Sequence, residues 1–188
     1  MRLVVLLGAL VFCAACSEPP QKEIDRAQGA LDAARAAGAE RYATADYTAA
    51  AAALQQAHEA VTQRDYRLAL GKAVDASERA LQAAREAADG KVRVRTEAEQ
   101  AITDVSQSLQ QLQATLVPYG TRSPTPPIAT ARRAASTAQA ALQKARELLK
   151  KEQYLEARDA VKGRGDQIRE QIRLVNEAAR ARPVRRRT

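Results

Sequence analysis

The clearest pattern of hydrophobic and polar positions lies between residues 98 and 116. Six apolar residues recur there at alternating steps of four and three: Ala98, Ile102, Val105, Leu109, Leu112 and Leu116. This is the a and d spacing of a coiled coil, which buries one side of a helix against a neighbour. Val74, Leu81 and Ala88 continue a seven-residue spacing upstream. The pattern predicts a helix from Tyr66 to Val117, about 75 Å long, which Asp89-Gly90 either leaves intact, bends or divides in two.

Helix stop and start signals predict two shorter helices before this one. The first runs from Ile24 to Ala37 and ends at Gly38, a residue typical of helix C-termini. The second runs from about Thr44 to Gln63. Asp65 is then a candidate N-cap for the long helix, because its carboxylate can accept a hydrogen bond from a free backbone N–H.

Four prolines between residues 118 and 127 forbid a continuous helix there, so this segment is predicted to be a linker. Thr125-Pro126 resembles an N-cap followed by proline in the first helical turn. A fourth helix is predicted from there to about Lys151, and a fifth from about Tyr154 to Ala181. Gly163 and Gly165 weaken the middle of the fifth helix.

An internal repeat relates the two parts of the chain. Shifting the sequence by 88 residues aligns residues 54–69 with residues 142–157, with six identities in sixteen positions. In each copy a helix ends on polar residues and a new one begins at a tyrosine followed by an alanine three residues later. Tyr66 and Tyr154 are predicted to cover the hairpin corners, while Ala69 and Ala157 let the two helices approach closely.

Two resemblances accompany these corners. The run of Asp65-Tyr66, Ala69-Leu70 and Ala73 resembles the helix corner of tetratricopeptide repeats, although the 34-residue period and the first-helix Trp/Leu/Gly/Tyr pattern of that family are absent. Residues 39–88 are similar to a family of Ala-rich helical domains in exported bacterial lipoproteins. The similarity rests on Tyr42-Ala43, Leu54-Gln55-Gln56-Ala57 and the Asp65 corner. It implies a location and a fold, and it implies no chemistry.

Composition supports slender helices rather than a thick core. Alanine supplies 43 of the 188 residues, whereas Leu, Ile, Val and Phe together supply 35. Such a chain is either disordered or built from helices whose backbones approach closely over alanine. Alanine is the best helix former, which favours the second alternative. The fold class is therefore predicted to be all-α: elongated Ala-rich helical hairpins or a bundle with coiled-coil character, in two related helix-turn-helix units.

The first seventeen residues have the pattern of an export signal. Arg2 precedes a ten-residue apolar run, Leu3 to Phe12, which is too short to span a bilayer and is typical of a signal peptide. Ala14-Ala15-Cys16 then resembles the lipobox of bacterial lipoproteins, in which cleavage precedes the cysteine and acyl chains anchor it. Cys13 stands where that family usually has an aliphatic residue, so a secretory signal cut after Ala15 is the alternative. By the same resemblance, Ser17 favours the periplasmic face of the outer membrane over the inner membrane.

Charge is distributed unevenly along the chain. Residues 122–188 carry a net charge of +10, whereas residues 1–121 carry −2. One explanation is solvated helix surfaces with ion pairs one turn apart, such as Asp75–Arg79, Glu147–Lys151 and Arg173–Glu177. The other is binding to an anionic envelope component through the arginines of the tail, Arg182, Arg185, Arg186 and Arg187. Arg132, Arg133, Lys150 and Lys151 would add supporting positive charge. Export and the lack of stacking aromatics argue against nucleic acid.

No pattern of catalytic or metal-binding residues stands out. His58 is the sole histidine, its helical neighbours include no acid, and it is predicted to lie on a helix surface. The sequence shows no nucleophile elbow, no Gly-rich phosphate loop and no spaced Cys/His set. We therefore expect no enzyme activity, no cofactor and no metal.

These observations predict a membrane-anchored helical scaffold or adaptor of the bacterial cell envelope. The alternative is a soluble periplasmic module, tetratricopeptide-like and without a lipid anchor. The expected partners are the membrane, a protein or an anionic envelope polymer, and a second copy of the chain through the coiled-coil seam. The predicted division is a signal peptide (1–15), a lipidated tether (16–23), a helical region with the first hairpin and long helix (24–117), a Pro-rich linker (118–127), a second hairpin (128–181) and a basic tail (182–188).

Overall fold

The computed structural model describes residues 18–120 and 125–181, and every regular element within these ranges is a helix. The all-α prediction is confirmed. In chain order the helices are α1 Gln21–Ala36, α2 Ala39–Tyr42, α3 Thr44–Thr62, α4 Tyr66–Leu116, α5 Pro126–Lys150, α6 Tyr154–Val161 and α7 Arg164–Arg180. A short 3-10 helix, Val117–Tyr119, follows α4.

Helix ends agree with the predicted stop and start signals at most positions. Gly38 follows α1 with φ +88°, a left-handed conformation that glycine adopts without strain. Asp65 caps α4, because its Oδ1 accepts the Leu68 N–H at 3.0 Å. Thr125 precedes α5 in an extended conformation but makes no side-chain cap hydrogen bond. Pro126 and Pro127 belong to the first turn of α5 rather than to the linker.

Two predicted boundaries are wrong. Helix α1 begins at Gln21, inside the segment predicted to be a tether, because Pro20 supplies a carbonyl that accepts the Ile24 N–H at 3.1 Å. The predicted fifth helix is divided into α6 and α7, because Gly163 has φ +70° and cannot continue a right-handed helix. By contrast, α4 is continuous through Asp89 and Gly90, so the long helix is not interrupted there.

By internal contacts the chain divides into two compact units, an N-terminal unit reaching to Gly90 and a C-terminal unit starting at Lys91. The sequence places its division at residues 118–127 instead. Prolines mark where a helix must stop, but they carry no information about which core each half of a long helix joins. The first part of α4 contributes to one core and the second part to another.

The N-terminal unit has a core made mainly of alanine. Sixteen buried residues from α1 to α4 form this cluster, and twelve of them are alanine. The larger members are Ile24, Leu31, Tyr47 and Leu54. Because an alanine side chain extends only one carbon, the helix backbones in this unit must lie close together to exclude water.

The buried face of α4 in this unit lies one residue away from the predicted one. Val74, Leu81 and Ala88 are exposed, whereas Ala73, Ala80 and Ala87 are fully buried. The prediction for Val74 and Leu81 is therefore wrong. Alanines at the same seven-residue spacing fill the narrow interhelical space, in which a valine or leucine does not fit.

The C-terminal unit has a core of larger aliphatic side chains. Thirteen buried residues of α4 to α7 form it, and only four of them are alanine. The predicted seam residues Ile102, Val105, Leu109 and Leu112 are all members. Since these side chains pack within their own unit, the seam is occupied and does not provide the surface predicted for a second copy of the chain.

Candidate functional site

Several predicted site residues lie outside the described part of the chain. These are the lipidation site Cys16 and the tail residues Arg182, Arg185, Arg186 and Arg187. The signal peptide and the last four residues before Thr125 are also outside it. Lipid attachment and tail binding therefore remain predictions.

The two helix corners are equivalent at a shift of 88 residues, as the repeat predicts. Arg64 and Glu152 both have positive φ, +60° and +58°. The next residue in each corner, Asp65 or Gln153, donates its N–H five residues back, to the carbonyl of Ala60 or Leu148 at 2.9 and 3.0 Å. This pattern satisfies carbonyls at the end of the first helix before the next begins.

The predicted corner residues are buried to different extents. Ala69 and Ala157 are fully buried, and Tyr154 is buried, whereas Tyr66 is half-buried. The corner at Tyr154 is also held by charges. Lys91 lies 5.8 Å from the Tyr154 ring centre and 2.9 Å from a Glu152 carboxylate oxygen.

A second ion pair in the C-terminal unit joins Arg158 to Glu97 at 3.1 Å. The pKa of the Glu152 carboxyl is lowered, chiefly by its hydrogen bond with Lys91. These contacts fasten α6 to the second part of α4. They give Lys91, Glu152, Arg158 and Glu97 a structural role at this corner.

The basic residues proposed to support tail binding do not form one cluster. Arg132 and Arg133 lie near the start of α5, and Lys150 and Lys151 lie at its end. Seventeen residues of helix separate Arg133 from Lys150, about 26 Å at 1.5 Å per residue. This exceeds the Debye length of about 8 Å at physiological salt, so the two pairs act independently.

Some of these cations already have partners within the C-terminal unit. A guanidinium nitrogen of Arg132 donates a hydrogen bond to the Gly120 carbonyl. Glu147 pairs with Lys150 at 3.1 Å, rather than with the predicted Lys151. The predicted pairs Asp75–Arg79 and Arg173–Glu177 are present, at 2.8 and 2.6 Å.

A concave surface of the C-terminal unit is the groove between α4 and α5, called here the glutamine groove. Two adjoining pockets of about 480 and 400 Å³ form it, and both are lined by Gln113 and Gln139. Leu109 and Leu142 are buried members of the core and form part of the lining. The remaining polar lining residues are Ser106, Gln110, Arg132, Ser136, Gln143 and Arg146.

The side chains that line the glutamine groove are suited to hydrogen bonding. Each glutamine amide supplies two N–H donors and a carbonyl acceptor, which matches the amide groups of an extended chain. Arg146 adds a guanidinium, which binds carboxylates with paired hydrogen bonds. None of the described lining residues is an acid, a histidine or a cysteine.

Sequence reasoning missed this groove, although a signal was present. Ser106, Gln110 and Gln113 follow at steps of four and three, and Gln139, Gln143 and Arg146 repeat these steps on α5. Each run marks one side of a helix next to an apolar seam. Polar helix faces are ordinarily solvated, so only the pairing of α4 with α5 shows that the two runs face a common space.

Other candidate sites are weaker. His58 lies on the exposed side of α3, as predicted. Among the described residues there is no group of three or more His, Cys, Asp or Glu side chains that could hold a metal ion. A search of the same residues finds no helix with the length and apolar character needed to cross a membrane.

Comparison of the chain with protein-family models, with curated proteins and with solved structures gives no match in any of the three.

Proposed function

We propose that this chain is a non-enzymatic lipoprotein, anchored through Cys16, that acts as a helical scaffold or adaptor in the bacterial cell envelope. The observation that carries the proposal is the order of residues at the start: one cation, ten apolar residues, then Ala14-Ala15-Cys16. Outer-membrane attachment, facing the periplasm, is part of the proposal because Ser17 follows the cysteine. The helical fold and the absence of acid–base groups in the glutamine groove are compatible with a binding role.

The adaptor role is assigned to the glutamine groove. Its amides suit a partner segment that offers backbone amides or hydroxyl groups along an extended chain. Arg146 at the edge favours a carboxylate in that partner. The partner chemistry is therefore an extended, acidic protein segment of the envelope.

The anchor is tested by replacing Cys16 with serine in the producing bacterium. Two or three acyl chains hold a protein firmly to a bilayer, since each buried methylene contributes about 0.8 kcal/mol. Cys16→Ser should lose incorporation of labelled palmitate and either leave the membrane fraction or retain its signal peptide. Cys13→Ser is the matched control and should behave as the parent chain. A normally cleaved Cys16→Ser protein that stays in the membrane contradicts the proposal, and a parent chain recovered unacylated in the periplasm supports the soluble module.

The groove is tested by crosslinking in intact cells followed by identification of captured proteins. Gln113→Ala combined with Gln139→Ala removes the two amides that line both pockets and should reduce capture of the main partner. Gln107→Ala, an exposed glutamine of α4 outside the groove lining, is the control. Equal capture by the parent chain and the double variant removes the groove from the proposal.

The basic tail is tested separately. Each basic residue near an anionic surface contributes on the order of 1 kcal/mol, so the tail arginines should promote binding to anionic vesicles at low salt. Deleting residues 182–188 should weaken this binding, and raising the salt should release the parent protein. If the parent and the shortened chain bind alike, the tail is only a solvated end.

A further inference from the structure

One side of α4 in the N-terminal unit carries exposed apolar side chains, called here the Leu81 stripe: Leu70, Val74, Leu81 and Ala88. Their exposed fractions are 42% for Leu70, 44% for Val74 and 51% for Leu81, and Ala88 is also exposed. Steps of four, seven and seven residues keep them on the same side of the helix. The helix is thus apolar on two neighbouring sides, one packed on α1 to α3 through alanine and one open.

The stripe has the form of a helix-packing surface. Its residues repeat at the seven-residue spacing that lets a second helix pack along the first. Scattered exposed apolar residues are ordinary in proteins, but four that recur on the same side of one helix are typical of an interaction site. The flanking charges indicate which partner fits this row.

Glu78 and Arg85 lie beside the stripe, each four residues after a stripe residue and seven residues apart. Neither takes part in an ion pair within the described residues, whereas Asp75 and Arg79 on the same helix pair at 2.8 Å. Two opposite charges that lie one heptad apart on the same edge of a helix can pair with the same two charges of a second copy when the two helices run antiparallel. A second α4 running antiparallel brings its Arg85 opposite Glu78 and its Glu78 opposite Arg85.

A parallel arrangement in the same register fails this criterion, because it puts the Glu78 and Arg85 edges of the two helices on opposite sides of the contact, where the charges do not meet.

We propose that the Leu81 stripe binds the same stripe of a second copy of this chain, antiparallel, about a two-fold axis beside Leu81. The contact forms between N-terminal units and uses no residue that lines the glutamine groove. This surface replaces the seam of residues 98–116, which is occupied within the C-terminal unit.

Cysteine crosslinking of the full chain in cells tests the contact and its direction. The only native cysteines are Cys13 and Cys16, so an introduced thiol is unique within the helices. Leu81→Cys lies at the axis and should form a dimer with a short bismaleimide reagent. Leu68→Cys, an equally exposed leucine on a different side of α4, is the matched control and should remain monomeric.

Direction is tested with Val74→Cys and Ala88→Cys. In the antiparallel pair, the two copies of Val74 lie about 22 Å apart along the helix, too far for the short reagent. Each variant alone should therefore stay monomeric, and cells producing both should give the crosslinked dimer. Self-crosslinking of Val74→Cys indicates a parallel pair and overturns the proposal. Equal crosslinking of Leu81→Cys and Leu68→Cys, or the absence of any crosslinked dimer, also overturns it.

Charge reversal tests the complementarity in the Leu81→Cys background. Glu78→Arg or Arg85→Glu alone should lower the dimer yield about fivefold, as expected when a surface ion pair becomes a repulsive contact. The double variant Glu78→Arg with Arg85→Glu restores the pairing and should recover the yield. All these residues are exposed, so the helical circular dichroism spectrum of each variant should be unchanged. Equal dimer yields in all three variants contradict the charge argument and, with it, the antiparallel pairing.

Discussion

The two units contain the same kind of helices but fill their cores differently. The N-terminal unit uses alanine at twelve of sixteen clustered buried positions, and the C-terminal unit uses it at four of thirteen. Stability in the first depends on how closely the backbones approach, because each alanine contributes little buried area. In the second it depends on large side chains such as Leu112 and Ile168, which are almost completely buried. The units should therefore be sensitive to opposite kinds of substitution.

The largest effect is expected from removing volume in the C-terminal unit. Leu112 is fully buried, so Leu112→Ala loses transfer free energy and leaves a cavity, which together cost about 2–5 kcal/mol. Urea unfolding followed by circular dichroism measures the change in the free energy of unfolding. Leu68→Ala, at a half-exposed position of the same helix, should cost less than half as much; equal losses contradict the assigned core.

Adding side-chain volume to its alanine core should destabilise the N-terminal unit. Ala80 is fully buried between close backbones, so Ala80→Leu forces the helices apart at an expected cost of about 1–3 kcal/mol. Leucine and alanine are both good helix formers, so helix propensity does not explain a loss. Ala52→Leu, at an exposed position of α3, is the control and should be nearly neutral in the same urea titration.

The next largest change in the free energy of unfolding is expected at Gly90, because this glycine lies against the backbone of Tyr42. A Cβ at position 90 would lie 2.8 Å from the Tyr42 carbonyl oxygen, closer than such atoms approach. Replacing an ordinary helical glycine with alanine gains up to about 1 kcal/mol. Gly90→Ala should instead lose about 1–2 kcal/mol, since the backbone must shift. Gly71→Ala on the same helix meets no atom within 4 Å and should gain stability; the same sign at both positions contradicts the contact.

The difference between the cores explains how far the sequence could be interpreted. Gly38, Asp65 and the prolines fix helix ends by local chemistry, so most ends were predictable within one or two residues. The C-terminal seam was predictable because large apolar side chains rarely repeat on an exposed helix face.

The buried face of α4 in the N-terminal unit was not predictable in the same way. Alanine is common on both exposed and buried helix faces, so Ala73 and Ala80 carried no signal, whereas Val74 and Leu81 gave a misleading one. The glutamine groove depends on pairing two distant helices, which neither run of residues indicates alone. The lipid anchor at Cys16 is predicted from the resemblance of Ala14-Ala15-Cys16 to a lipobox, a local motif that does not depend on the fold.

The two equivalent corners can be compared by the loss in free energy of unfolding when the residue that precedes each second helix is replaced, an effect of at most about 1 kcal/mol. Asp65 accepts the Leu68 N–H at 3.0 Å, whereas Gln153, its counterpart, makes no side-chain cap hydrogen bond. Asp65→Ala should therefore cost about 1 kcal/mol, as loss of an N-cap usually does. Gln153→Ala should cost only a few tenths of that in the same measurement. A larger loss at Gln153 means that the two corners are not stabilised in the way their hydrogen bonds indicate.

The smallest effect at neutral pH is expected at Tyr47 in the N-terminal unit. Its ring is buried beneath the Arg35 guanidinium, 5.8 Å from the ring centre, and its hydroxyl has no hydrogen-bond partner of normal geometry. Tyr47→Phe removes a buried polar atom without breaking a bond, so at pH 7 it should change the free energy of unfolding by less than about 1 kcal/mol. Its Arg35 neighbour remains paired with Glu40 at 2.9 Å.

At alkaline pH the Tyr47 hydroxyl should have a measurable effect on the free energy of unfolding. Burial raises the pKa of Tyr47, and the neighbouring Glu40 carboxylate adds to the shift. Because the folded pKa exceeds the unfolded value of about 10, this group's contribution to stability is complete below pH 10 and is lost as the pH rises through the folded pKa. Urea titrations at several pH values from neutral to strongly alkaline should therefore show a shallower decline for Tyr47→Phe than for the parent chain. Tyr119→Phe in the C-terminal unit is the control, and parallel declines in all three proteins mean that Tyr47 ionises as freely in the folded chain as in the unfolded one.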